Sequence, residues 1–287
     1  MANIIITGSS SGFGRLTAET LANAGHQVFA TVRDSSGKNA GATKQLGASR
    51  TGGGHVHVVD MDVTSDTSVQ KAIESIAQQT GGAIDVVFNN AGRFSAGVLE
   101  AYSLEEAKDL FETNVFGPLR VNRAVLPYLR KRRSGLIINT SSIVGRFSLP
   151  CLGMYAATKF ALEALAEAQR DELKGLGIDV VLIQPGAFPT EVGNNGLYPA
   201  DAARANEYGA VAEIPKQMGE GLAQLFASEN SPKPQQVADA VKKLIDTPAG
   251  QRPGRVVVDS LTGDPVRALN TAHGEHRQTL LTAFGMA

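Results

Sequence analysis

The chain has 287 residues, 43% of them hydrophobic, which is enough for one large α/β core. Lys and Arg number 27 against 28 Asp and Glu, so net charge gives no reason to expect nucleic acid or an anionic membrane as a partner. The single cysteine, Cys151, excludes an intrachain disulfide and a thiolate metal cluster, and it suits a reducing compartment, which makes the cytoplasm the expected location.

Short Val- and Ile-rich runs alternate with stretches of helical apolar spacing as far as residue 186, the βα rhythm of a parallel sheet. Strands are expected at 3–7, 27–32, 55–60, 84–89, 136–140, 178–184 and 255–259, with helices at 15–24 and 153–174. Ile4-Ile5-Ile6 lies too near the start for a signal peptide's charged region. No apolar run reaches the ~18 to 20 residues of a membrane span, so neither export nor a membrane partner is expected. Residues 34–54 are rich in Gly, Ser and Lys and belong at the surface with one short helix. His55 and His57 share one side of a strand without a third ligand in register, so no metal site is expected. The basic run Arg130-Lys131-Arg132-Arg133 stands where a helix should end, complementing its dipole. The segment 188–234 breaks the rhythm without a strand, holds Gly193-Asn194-Asn195-Gly196, and is expected to be a functional lid. The extension 260–287, with Leu269, Leu280, Leu281 and Phe284, either packs near the same site or serves an interface.

Thr7-Gly8-Ser9-Ser10-Ser11-Gly12-Phe13-Gly14 follows the first strand and opens a helix. In that context Gly8 permits a tight turn, Gly12 lets the backbone approach a pyrophosphate, and Gly14 allows helix to pack on strand, while the helix N-terminus supplies N–H groups. Gly8, Ser10, Ser11, Gly12, Phe13 and Gly14 are therefore the expected phosphate-binding contacts. The second strand ends as Val32-Arg33-Asp34. An acid there would bind a ribose 2′-hydroxyl, whereas apolar Val32 followed by Arg33 suits a 2′-phosphate, which favours NADP(H) over NAD(H).

Tyr155-Ala156-Ala157-Thr158-Lys159, with Ser142 upstream, reads as a proton-transfer site. Residues four apart share a helix face, so the Lys159 ammonium is expected within reach of the Tyr155 ring. A phenol titrates at about 10, and an opposite charge within ~4 to 6 Å lowers that by roughly 1 to 3. Strand alternation allows only one of Ser141 and Ser142 to face a pocket.

Together these residues resemble the short-chain dehydrogenase/reductase family over roughly residues 3 to 190, with Phe13 where isoleucine is commoner. Asp62-Val63 is similar to the family's adenine contact, and Asn89-Asn90-Ala91-Gly92 to its sheet-stabilising turn after the fourth strand. Asn114 is similar to its structural and proton-relay asparagine, and Ser142, Tyr155 and Lys159 to its catalytic set. Pro185-Gly186 with Phe188 and Thr190 resembles its nicotinamide loop. The resemblance implies a Rossmann-type doubly wound parallel sheet of about seven strands in one domain, 1–287, with a helical lid. Asp62, Val63, Asn89, Ala91, Gly92, Tyr155, Lys159, Pro185, Gly186, Phe188 and Thr190 are the implied cofactor contacts. It implies an oxidoreductase that works as a homodimer or homotetramer, in which Tyr155 donates a proton, Ser142 binds the carbonyl oxygen, Lys159 depresses the tyrosine's pKa and holds the nicotinamide ribose, and Asn114 anchors a water.

Phe94, Val144, Phe147, Leu149, Leu152 and Phe188 lie near these motifs and either line an apolar pocket or belong to the core. The expected substrate is a ketone or secondary alcohol with hydrophobic bulk, handled by a carbonyl reductase or alcohol dehydrogenase. A hydroxysteroid dehydrogenase and a 3-oxoacyl thioester reductase are the alternatives within enzymes. A non-catalytic NADP(H) sensor is the alternative outside them, and the complete Ser142, Tyr155 and Lys159 set argues against it.

Overall fold

The structure is a computed structural model that describes residues 1–48, 53–193 and 195–286. Part of the polar surface stretch, residues 49–52, lies outside the described residues, as do Asn194 of the Gly-Asn-Asn-Gly run and Ala287 of the tail.

In chain order the elements are β1 (Asn3–Ile6), α1 (Gly12–Asn23), β2 (Gln27–Val32), α2 (Ala40–Ala48), β3 (His55–Asp60), α3 (Asp66–Thr80) and β4 (Val86–Asn89). Then come α4 (Leu104–Phe111), a π-helical turn at Glu112–Phe116, α5 (Gly117–Arg132), β5 (Gly135–Thr140), α6 (Gly153–Lys174) and β6 (Ile178–Pro185). The chain continues with α7 (Ala202–Asn206), α8 (Ile214–Ala227), α9 (Gln235–Asp246), β7 (Arg255–Val258) and α10 (Asp264–Ala283).

All seven strands pair in parallel in the order β3-β2-β1-β4-β5-β6-β7. Continuous apolar runs form them because helices cover both faces: Ile4, Ile5 and Ile6 of β1 are all fully buried. On one face α1 and α9 pack Ala18, Leu21, Val237 and Val241 against Ile4, Ile6 and Ile138. On the other, α3, α5 and α6 pack Ile73, Ile76, Val125 and Ala166 against Ile5, Val87 and Ile137. The connection reverses at β1, which lies between β2 and β4, so the crevice at the carboxyl ends of the strands opens there.

Element ends differ from expectation by one to three residues, each for a local reason. The first helix starts at Gly12 instead of residue 15, because the glycine turn is already its first turn. The fourth strand starts at Val86, not 84: Arg132 donates to the Ile84 carbonyl at 2.7 Å instead. The last strand stops at Val258, because the Asp259 carboxylate accepts from the backbone N–H of Leu261 (2.8 Å) and of Thr262 (3.0 Å) and closes a turn.

The segment 188–234 holds α7, a 3-10 turn at Gly209–Glu213 and α8. It is tied down by the Ser95–Leu197 bridge, by Ala200 N–H donating to Glu106 (3.0 Å), and by Tyr208 Oη donating to Glu100 (2.6 Å). Helix α10 docks on α6 and the β6–β7 edge through Asn270, His273 and Arg277. Among the described residues, no helix is long and apolar enough to cross a membrane.

Candidate active site

Backbone geometry shapes the turn between β1 and α1. Gly8 and Gly12 have φ of +66° and +52°, in the left-handed region where a side chain is strained. A Cβ on Gly8 would stand 2.8 Å from Cα of Ala91, and one on Gly14 would collide with the Gly8 carbonyl and lie 2.5 Å from Nδ2 of Asn90. Two residues outside the expected contacts fasten this turn. Thr7 Oγ1 accepts from the N–H groups of Asn90 and Ala91, each at 2.9 Å, and Asn90 Nδ2 donates to the carbonyls of Thr7 (3.0 Å) and Gly8 (3.1 Å). Strand order explains why: β1 and β4 are neighbours, a pairing that a local reading of either segment does not contain.

This cradle fits a dinucleotide. Ser11 stands at the N-cap of α1 and makes no side-chain cap, so the first N–H groups of the helix can receive a phosphate at its positive end. Ser10 is half-buried beside it, and Thr190 faces Gly12, its Cβ 3.5 Å from where a Gly12 side chain would begin. Gly186 leaves no room for a Cβ beside the Asp259 carboxylate, which holds the loop after β6 close to the β7 end. Arg33 is exposed at the end of β2. Asp34 does not compete for the ribose, since its carboxylate accepts from Lys38 N–H at 2.8 Å within its own turn.

The side chains of four expected cofactor contacts, Asn89, Asp62, Val63 and Phe188, bond or pack within the chain. The Asn89 side chain is buried in the core, donating to Oδ1 of Asn122 (2.8 Å) and of Asn139 (3.0 Å), because its strand position points into the layer beneath α5. Asp62 commits Oδ1 to Thr64 N–H (2.9 Å) and Thr64 Oγ1 (2.8 Å), an Asx turn after β3, and Val63 packs beneath it near Gly117. Phe188 is buried in the core, edge-on to Phe13 with centroids 5.4 Å apart.

At the mouth of β5 the alternation holds. Ser141 is buried against Gly145, whereas Ser142 faces Tyr155 and acts to lower its pKa. Ser142 Oγ also accepts from Val144 N–H (3.3 Å) and donates to the Pro185 carbonyl (3.4 Å). The Lys159 ammonium sits over the Tyr155 ring, 5.6 Å from its centroid, and donates to the Thr140 carbonyl at 2.8 Å. Gly92 lies between them and Asn114: a Cβ there would be 3.4 Å from Asn114 Oδ1 and 3.7 Å from Lys159 Nζ.

The electrostatics correct one expectation. The tyrosine is raised, not lowered: burial pushes Tyr155 up to about 12, against the lowering effect of Ser142, while the Lys159 ammonium lies 5.6 Å from the ring centroid. Burial likewise lowers Lys159 to about 8, with the negative charge of Glu163 opposing the fall. At neutral pH Tyr155 is thus an intact proton donor next to a mostly protonated lysine.

Asn114 lies in the π-helical turn, the kind of widened turn that recurs at functional sites. Its side chain is spent on structure: Oδ1 accepts from Arg93 N–H (2.8 Å), and Nδ2 donates to the Arg93 carbonyl (2.9 Å) and to Thr158 Oγ1 (3.1 Å). Thr158 in turn donates to the Tyr155 carbonyl at 2.7 Å, a link carried inside the Tyr-Ala-Ala-Thr-Lys run itself.

Beside Tyr155 an apolar cluster gathers Val144, Leu152, Ala96 and Ala156 with Phe94, Phe147 and Met218. Leu149 is 45% exposed and, like Phe188, stands apart from it. Met218 comes from α8, more than sixty residues along the chain from Tyr155, and no local pattern announces it.

Comparison with known proteins agrees with this geometry. The short chain dehydrogenase family profile matches residues 2–197. The chain is 36% identical to a 3-ketodihydrosphingosine reductase of Bacteroides thetaiotaomicron over 255 residues, covering 84% of this chain and 89% of that protein. It is 38% identical to retinol dehydrogenase 8 of Bos taurus over 191 residues, 66% of this chain and 59% of that one. The crystal structure of a short-chain dehydrogenase from Streptomyces avermitilis superposes with a TM-score of 0.77 at 31% identity, covering 99% of this chain and 97% of the other. A glycine cradle at the sheet crevice, a Ser–Tyr–Lys set at the β5 mouth and these matches lead to one conclusion: the chain is an oxidoreductase of the short-chain dehydrogenase/reductase family.

Proposed function

We propose that this oxidoreductase is an NADP(H)-dependent carbonyl reductase or alcohol dehydrogenase acting on a ketone or secondary alcohol with hydrophobic bulk. The observation that carries the reading is the Tyr155 hydroxyl, kept in its donor form by burial, beside Ser142 and flanked by the apolar Phe94, Val144 and Phe147. The bound nicotinamide supplies a hydride for the carbonyl carbon or takes one from the alcohol. Ser142 and Tyr155 orient the carbonyl oxygen, Tyr155 gives it the proton as negative charge develops, and Lys159 stabilises the phenolate that remains. Because burial holds Tyr155 near 12, the donor form persists through neutral pH, which suits reduction; oxidation requires the scarce phenolate.

Gly8, Ser10, Ser11, Gly12 and Gly14 would hold the pyrophosphate, and Arg33 the 2′-phosphate. The relatives that reduce a ketosphingoid base and oxidise retinol by name support bulky lipophilic substrates over short thioesters. The lid reading of 188–234 rests on Met218, which brings α8 against the cluster beside Tyr155. Family precedent supports a homodimer or homotetramer.

The test is NADPH oxidation across a panel of aliphatic, steroidal and long-chain ketones. Tyr155→Phe should lose roughly 10²- to 10⁴-fold in kcat while keeping nucleotide affinity. Turnover that survives in that variant refutes the mechanism, and tight NADPH binding without turnover of any ketone favours the sensor. Arg33→Ala should weaken NADPH far more than NADH; equal losses would remove the 2′-phosphate role.

A further inference from the structure

Behind the catalytic lysine lies a charged group that the reaction as described does not use. Glu163 is one helical turn beyond Lys159 on α6 and only 3% exposed. Its Oε1 accepts from Gln184 Nε2 at 2.8 Å, and its Oε2 from Arg255 Nε at 2.7 Å. It also supports the serine's turn: a Cβ on Gly145 would lie 3.4 Å from Glu163 Oε1, and Gly145 N–H donates to the Ser142 carbonyl at 3.0 Å. On its far side, Asn270 Nδ2 of α10 donates to Gln184 Oε1 at 2.6 Å. A fully buried carboxylate is costly unless paired, and this one is paired with Arg255 and Gln184.

We propose that Glu163 is a positioning residue of the reaction, a buried anion that holds Lys159 as an ammonium against Thr140 and joins the reacting centre to the C-terminal helix through Gln184 and Asn270. The charged groups facing this pair are few. Tyr155, Glu163 and Glu167 stand on α6, Arg146 follows the Ser142 turn, Arg255 comes from β7, and His273 and Arg277 come from α10. Glu163 is the one whose charge acts directly on Lys159, raising its proton affinity against the lowering by burial. The inference rests on Lys159 serving as a cation in the proposed chemistry, but its first readout needs no turnover.

In lysine-labelled protein without nucleotide, NMR titration of Lys159 is expected to give a midpoint near 8. In Glu163→Gln the midpoint should fall by about one pH unit, a tenfold change. The alkaline fall of kcat/KM for an accepted ketone should move down by the same amount, so that the loss is greatest at high pH. Glu167→Gln breaks contacts to Arg255 and His273 on the next turn. It should lower Tm without moving the Lys159 midpoint. If Glu163→Gln does not fold, Glu163→Asp carries the test, with its charge drawn back from the lysine and a smaller downward movement expected. An unmoved midpoint in the folded Glu163 variant, or an equal movement in Glu167→Gln, overturns the proposal. Failure of every ketone with the titration intact would instead sink the proposed function.

Discussion

The two ends of the cleft are built on opposite principles. At the dinucleotide end, main chain meets main chain: Gly8 against Ala91, Gly14 against the Gly8 carbonyl, and Asn90 stitched across to β1. At the substrate end, contact is made by side chains on thinly buried elements. No residue of α8 is fully buried, and the segment 188–234 is held by single bonds such as Tyr208 to Glu100 and the Cys151 thiol to the Val211 carbonyl (3.4 Å). The first end admits almost no variation, because a methyl group has nowhere to go. The second can change its lining without disturbing the sheet, which is how one scaffold serves many carbonyl substrates.

Three measurements break or sharpen this contrast. The largest effect should come from Gly14→Ala, which drives a methyl group into the Gly8 carbonyl. It should cost about 2 to 4 kcal/mol in denaturant unfolding and abolish nucleotide binding, and a variant of native stability would show that the turn yields where we describe it as rigid.

Lys159→Met should produce the next largest change, with the opposite sign. The folded chain holds Lys159 at about 8 against an ordinary 10.5, so between those values the unfolded chain binds the extra proton and stability rises with pH. The deficit is therefore complete below about pH 8 and gone above 10.5. The variant should be inactive yet roughly 1 to 3 kcal/mol more stable at pH 7, with the gain fading at alkaline pH. A gain independent of pH would point to packing instead of charge.

Tyr208→Phe should have the smallest effect. It removes the 2.6 Å bond to Glu100 at an exposed position of the segment proposed as a lid, so KM should rise roughly two- to tenfold with Tm unchanged. A fall in Tm without a change in KM would place α7 and α8 in the folding core and not over the cleft.

The same contrast decides what the sequence disclosed. Gly8, Gly12 and Gly14 were legible because their demands are local and conformational, Tyr155 and Lys159 because helical periodicity brings them together, and Ser142 over Ser141 only through the family resemblance. The seven strands were legible from their apolar runs, with errors confined to ends set by a side chain such as Arg132 or Asp259. Thr7 and the Asn89-Asn90 turn were legible as motifs, but not the strand they fasten: Asn90 is tied to Thr7 and Gly8 because β1 lies beside β4, and Asn89 to Asn122 and Asn139 beneath α5. The tyrosine's proton affinity could not be read from its spacing to Lys159, since burial, which spacing does not reveal, raises it.

The wide turn at Glu112–Phe116 carries a consequence for how α4 and α5 share one rod. Each residue of an α-helix advances the azimuth by about 100°. The extra residue in this turn therefore resets the phase between the two segments, letting α4 present Asp109 to Arg93 while α5 keeps Asn122 on Asn89. Deleting one residue there would rotate one segment against the other by more than a quarter circle and cost the asparagine's grip on the tyrosine helix.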